Sequence, residues 1–62
     1  MMWNEKLKSL RGDKTIEEVA AAMMLNPNMY EAYEKGERMP LDPVKKIIAD
    51  YFGASEETIW KS

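Results

Sequence analysis

Apolar residues along the chain fall into short runs with helical spacing, each bounded by a capping residue, a proline or a glycine. Trp3, Leu7 and Leu10 recur at intervals of three and four before Gly12. Asn4 can cap this segment, which predicts a first helix over residues 4–11. "TIEE" at 15–18 has the form of a capping box: the Thr15 hydroxyl can take the Glu18 amide hydrogen while the Glu18 carboxylate reaches back to the Thr15 amide. Ile16, Val19, Ala20 and Met23 then follow at i, i+3, i+4 and i+7, so a second helix is expected over 15–23 with that face inward.

Asn26 before Pro27 is a cap and first-turn pair, because proline lacks only an amide hydrogen that the first turn leaves unpaired. The third helix is expected over 27–35, with Tyr30 and Tyr33 on its buried face and Gly36 as its stop. Asp42-Pro43 repeats the device and opens a fourth helix, 43–52, whose apolar stripe is Val44, Ile47, Ile48, Tyr51 and Phe52, closed by Gly53. Ser55 with Glu56 and Glu57 begins a last short helix, 56–60, which directs Ile59 and Trp60 to the core or to a partner. No segment has the period of two that marks a strand. The pattern therefore predicts an all-α fold, five short helices forming one domain over residues 1–62.

A chain of 62 residues buries only about 60% of the surface its unfolded form exposes, so its stability is marginal and each cap matters. Cysteine and histidine are both absent, which excludes disulfides, the usual zinc sites, thiol nucleophiles and the commonest general base. Neither Glu17-Glu18, Glu56-Glu57 nor the pair Glu31 and Glu34 has a partner to complete an acid–base or metal site. No catalysis, cofactor or metal is expected. No apolar run approaches the roughly 20 residues that cross a bilayer, so no membrane partner is expected and the setting is taken as cytoplasmic.

Net charge is −2, but its distribution is uneven. Residues 1–14 set Lys6, Lys8, Arg11 and Lys14 against Glu5 and Asp13, whereas residues 15–34 carry Glu17, Glu18, Glu31 and Glu34 with no cation. The second and third helices, taken alone, are acidic.

Several motifs appear in a fixed order: Val19-Ala20 inside the second helix, a Met23-Met24-Leu25 corner, Tyr30 and Tyr33 in the third helix, Glu34-Lys35-Gly36 at its end, Pro40 beyond, and "DPVKKIIADYFGASEETIW". In that order they resemble the phage-repressor and Cro-like helix-turn-helix family, also called the xenobiotic-response-element family. The resemblance covers nearly the whole chain. It implies a five-helix bundle, binding to double-stranded DNA through the third helix, and a buried bridge between Arg11 and Glu34. Mapped onto this chain, with the two cap positions, it implies DNA contacts at Lys14, Thr15, Asn26, Asn28, Glu31, Ala32, Lys35 and Arg38.

The chain departs from that family at three places. The family turns its corner on glycine, whereas Met24 stands here; a left-handed methionine costs about 1 kcal/mol or more unless the turn is rebuilt. The glutamine that commonly opens the first motif helix is Ile16, which clamps neither phosphate nor base. The reading positions are Pro27, Asn28, Glu31 and Ala32, of which only Asn28 offers the paired donor and acceptor of an adenine match, with Glu31 able to accept from cytosine. The expectation is a DNA-binding transcriptional regulator with weakened base reading. The alternative is a protein-interaction module on the same scaffold, a partner or antagonist of another regulator protein, in which Ile16, Met24, Pro27 and Met29 cluster into an apolar patch. A homodimer through the last two helices is expected under either, with Ile59 and Trp60 as its interface and Tyr51 and Phe52 beside them.

Overall fold

Five runs of helical spacing become five helices. In the computed structural model, which describes residues 2–60, they are α1 (Trp3–Arg11), α2 (Ile16–Ala22), α3 (Pro27–Glu34), α4 (Asp42–Phe52) and α5 (Glu56–Trp60), with no strand among the described residues. Each boundary falls within a residue of its expected position. Met1, Lys61 and Ser62, part of the expected domain, lie outside the described residues.

Two caps differ from expectation. Asn4 does not cap α1: the helix begins one residue earlier, the Glu5 carboxylate accepts from the Met2 amide at 3.3 Å, and the Asn4 amide group turns to α3, donating to the Glu34 carbonyl at 3.4 Å. A tertiary contact has claimed the side chain that local pattern assigned to the cap. Asp42 likewise sits inside α4 after Leu41, its carboxylate 3.8 Å from Lys45 Nζ, and Pro43 occupies the second helical position, whose amide would also be free. The other start signals hold. Thr15 Oγ1 accepts from the Glu18 amide at 3.1 Å, although only that half of the box forms, and Asn26 Oδ1 accepts from the Asn28 and Met29 amides at 2.8 and 3.2 Å.

Helices α2, α3 and α4 end in one way. Just past each end an amide reaches back to a carbonyl inside the helix (Leu25 to the Ala20 carbonyl at 2.8 Å, Glu37 to Ala32 at 2.9 Å, Ala54 to Ala49 at 3.0 Å), and the residue immediately before that amide is left-handed. That residue is Gly36 at φ 75° and Gly53 at φ 68°, but in the α2–α3 corner it is Met24 at φ 58°. The turn is not rebuilt to suit methionine. Met24 adopts the glycine conformation and stands 93% exposed, so it gains little packing in return.

One core joins all five helices: Leu7 of α1, Val19 and Ala20 of α2, Tyr30 and Tyr33 of α3, Ile48 and Ala49 of α4, and Ile59 of α5, with Met23 at the corner. Ala20 is fully buried where α2 meets α3, and its small side chain permits the close approach. Ile59 is 0% exposed, which corrects its expected place in a dimer interface: the monomer's own core consumes it. Trp60 is half-buried, its ring centroid 5.7 Å from that of Trp3 and its Nε1 donating to the Lys45 carbonyl at 3.3 Å, so it ties α5 to α1 and α4. Leu10 and Ile47, though in phase with buried neighbours, remain exposed because short helices in a small bundle leave part of each stripe uncovered.

The expected bridge between α1 and α3 is present. Arg11 Nε and Nη2 donate to the two carboxylate oxygens of Glu34 at 2.8 and 3.1 Å, while Nη1 donates to the Lys14 carbonyl at 2.6 Å. Their side chains are 18% and 6% exposed, and the bond to Glu34 raises the Arg11 guanidinium above its ordinary value. Beside this pair the Tyr30 hydroxyl is buried without a partner in hydrogen-bonding geometry. Burial, reinforced by the neighbouring Glu34 carboxylate, pushes that phenol well above its ordinary 10.0.

Three stability measurements check this account. Met24→Gly is expected to add about 1 kcal/mol and raise the thermal midpoint by roughly 4–8 °C, whereas β-branched Met24→Val lowers it. Arg11→Met is expected to cost about 3 kcal/mol by stranding Glu34, and adding Glu34→Leu recovers most of that loss. For Tyr30 the folded value lies above the unfolded one, so the unfolded chain releases the proton first. Stability is complete below about pH 10 and falls as pH climbs past it. Tyr30→Phe is expected to lessen that alkaline loss in denaturant titrations, and to be neutral or stabilising by about 1 kcal/mol at pH 7.

Candidate nucleic-acid interface

The outer face of α3 follows from its inner one. With Tyr30, Tyr33 and Glu34 buried, the helical repeat turns Asn28, Glu31, Ala32 and Lys35 to the opposite side at i, i+3, i+4 and i+7. Asn28 is exposed and its side chain makes no hydrogen bond among the described residues, while Glu31 and Ala32 are half-buried. Asn26 and Thr15, both expected to touch DNA, use their side-chain oxygens as caps, so each orients a helix start at this face.

Charge at this face differs from charge along the sequence. Lys8, Arg11, Ile16, Glu31, Glu34 and Lys35 line one shallow concavity between α1, the start of α2 and α3. Arg11 and Glu34 neutralise each other, leaving Lys8 and Lys35 against Glu31, whose carboxylate lies 3.9 Å from Lys35 Nζ. The acidic segment of the sequence thus receives cations from outside it, and the concavity carries a net positive charge. Glu17 and Glu18 remain exposed on α2.

Sequence reasoning missed Lys8. It stands three residues before Arg11 on α1, hence on the same helical face, and once Arg11 is bonded to α3 the Lys8 side chain must lie near it. The converse holds for Lys14, whose ammonium is 3.4 Å from Tyr51 Oη and 5.6 Å from that ring's centroid. It leans on α4 and is not gathered with the α3 stripe. Arg38 lies exposed in the segment after α3.

The apolar patch expected of an interaction module is divided. Ile16 lines the concavity with Glu31, whereas Met24 lines a separate groove with Ala22, Met23, Ile47, Asp50 and Tyr51 on the α4 side. Among the described residues no helix is long and apolar enough to cross a membrane.

Comparison with curated proteins and with solved structures finds no match. The family described as Helix-turn-helix matches residues 7–59, a span that reaches into all five helices and contains the Arg11–Glu34 bridge, the α2–α3 corner and the whole α3 stripe. The chain therefore belongs to the Cro/repressor-type helix-turn-helix family, whose members are DNA-binding domains of transcription regulation.

Proposed function

We propose that this chain is a DNA-binding transcriptional regulator whose affinity comes mainly from phosphate neutralisation and whose base reading is confined to a short part of α3. Lys8 and Lys35 flanking Glu31 carry this reading: they supply the positive charge at the concavity that the second and third helices lack in sequence. Arg38 extends that charge beyond α3. Of the two motif-helix starts only α2 has amides left over, those of Ile16 and Glu17, because Pro27 has no amide hydrogen and Asn26 takes the Asn28 and Met29 amides. Ile16 in place of a hydrogen-bonding residue, with Pro27 and Ala32 at reading positions, leaves few base-specific contacts. A cytoplasmic setting is part of the same reading.

A protein partner remains the second reading, favoured by the exposure of Met24 and Ile47 along one groove. That groove is separate from the α3 stripe, so a partner there would not compete with DNA. Pairing of two copies would let two reading helices meet successive half-sites. With Ile59 buried, half-exposed Trp60 is the residue of α5 left for such a contact.

Titration of duplex DNA at several salt concentrations tests the proposal. Binding is expected at low salt and is expected to weaken steeply as salt rises; Lys8→Ala and Lys35→Ala should each lower affinity for every sequence and reduce the salt slope by about 1. Lys14→Ala should change the slope little. Absence of binding at about 100 μM protein in low salt, the weak end of non-specific affinity, would remove DNA as the partner. Two substitutions separate the readings: Glu31→Lys strengthens binding if the partner is DNA, whereas Ile47→Lys weakens binding if the partner is a protein seated on the groove and leaves DNA binding unchanged.

A further inference from the structure

We infer that Asn28 and Glu31 together specify neighbouring A·T and C·G base pairs, with Glu31 as a cytosine-selecting residue whose charge is offset by Lys8 and Lys35. The pairing rests on the α3 stripe meeting duplex DNA, as proposed above. Its chemical basis is what each side chain can match. Asn28 is exposed with its amide unengaged, since the cap at this helix start is supplied by Asn26, and it can donate to adenine N7 and accept from adenine N6. The Glu31 carboxylate only accepts. In the major groove guanine offers two acceptors, thymine an acceptor and a methyl, and adenine an acceptor beside its amino group; cytosine alone presents a donor without a flanking acceptor.

Spacing supports reading by both. Residues three apart on a helix rise roughly 4.5 Å along its axis, a little more than the roughly 3.4 Å between successive bases of a strand. Asn28 and Glu31 therefore address adjacent base pairs when α3 lies along the groove, and Ala32, on the same stripe, is too short to intrude on either contact.

A carboxylate in the groove is ordinarily expelled by the phosphates. Here Lys35 Nζ is 3.9 Å from Glu31 Oε2, and Lys8 lines the same concavity from α1. These cations neutralise the carboxylate's long-range repulsion, and they leave it 47% exposed for a short-range hydrogen bond. Lys8 thus brings a second cation to that concavity from another helix.

Selection of bound duplexes from a random pool, using the whole chain at low salt, tests the inference. Wild type is expected to retain duplexes with a fixed A·T pair beside a C·G pair. Glu31→Gln is expected to replace that cytosine with adenine, because glutamine supplies both a donor and an acceptor, and Asn28→Ala is expected to lose the adenine while keeping the cytosine. In a retained duplex, changing the cytosine to adenine should weaken wild type about tenfold and strengthen Glu31→Gln. Both positions are on the outer face, so helical circular dichroism should be unchanged. Retained duplexes that carry no cytosine beside adenine, or identical selections by wild type and Glu31→Gln, overturn the inference and leave DNA binding standing. Retention of no duplex by wild type overturns DNA binding and the inference with it.

Discussion

The bidentate pair between Arg11 and Glu34 fixes the relation of α1 to α3, and most of what is distinctive about the surface follows from it. Its geometry, with two oxygens bonded and a third donor on the Lys14 carbonyl, ties three segments through one guanidinium. Neither side chain reaches far into water, so losing one partner would leave a desolvated charge. Asn4 adds a second tie beside it, to the Glu34 carbonyl, and packs so close to Gly36 that a Cβ there would meet it at 3.2 Å. The end of α3 is thus gripped by α1 from two turns, and Lys8, on the face that carries Arg11, is brought to the reading helix as a consequence.

Short helices cannot draw stability from length, and here they draw it from their ends. The two motif helices begin on side-chain caps, and three helices stop on left-handed residues with paired return hydrogen bonds. Met24 shows how strongly this ending is imposed. A residue that disfavours positive φ adopts it because the Leu25 amide must reach the Ala20 carbonyl for the corner to close, and Val19, Ala20 and Met23 must stay in the core on one side of it. Packing on both sides of the corner outweighs the local preference of one exposed side chain.

Local signals were legible in the sequence and tertiary ones were legible only in part. Caps and glycine stops marked all five helices because they act within four residues. Asn4 and Asp42 misled for a related reason: each is a good capping residue, but Asn4 finds a partner thirty residues away and a neighbouring position serves as the cap. Arg11 and Glu34 were visible through a family resemblance, yet the consequence for Lys8 requires the two helices to be placed together. Ile59 could be assigned to the core or to a partner from periodicity alone, and only the closing of α5 onto α1 and α4 decides between them. Lys14, a surface cation in sequence, becomes a contact of Tyr51 because the turn after α1 directs it to α4.

Charge illustrates the same limit and bears on function. Counted along residues 15–34 the reading unit is acidic, but electrostatic potential depends on distance in space, and screening confines it to about 10 Å in ordinary salt. In the concavity beside the α3 stripe, Glu34 is cancelled by Arg11, Glu31 lies 3.9 Å from Lys35, and Lys8 enters from α1. On the proposed reading, glutamate at a reading position is compatible with attraction to phosphate because the cations stand beside it and not in its place. The cost is a thinner margin of attraction. On the proposed reading Lys8, Lys35 and Arg38 meet the backbone, and discrimination between sites falls to the base edges that Asn28 and Glu31 reach.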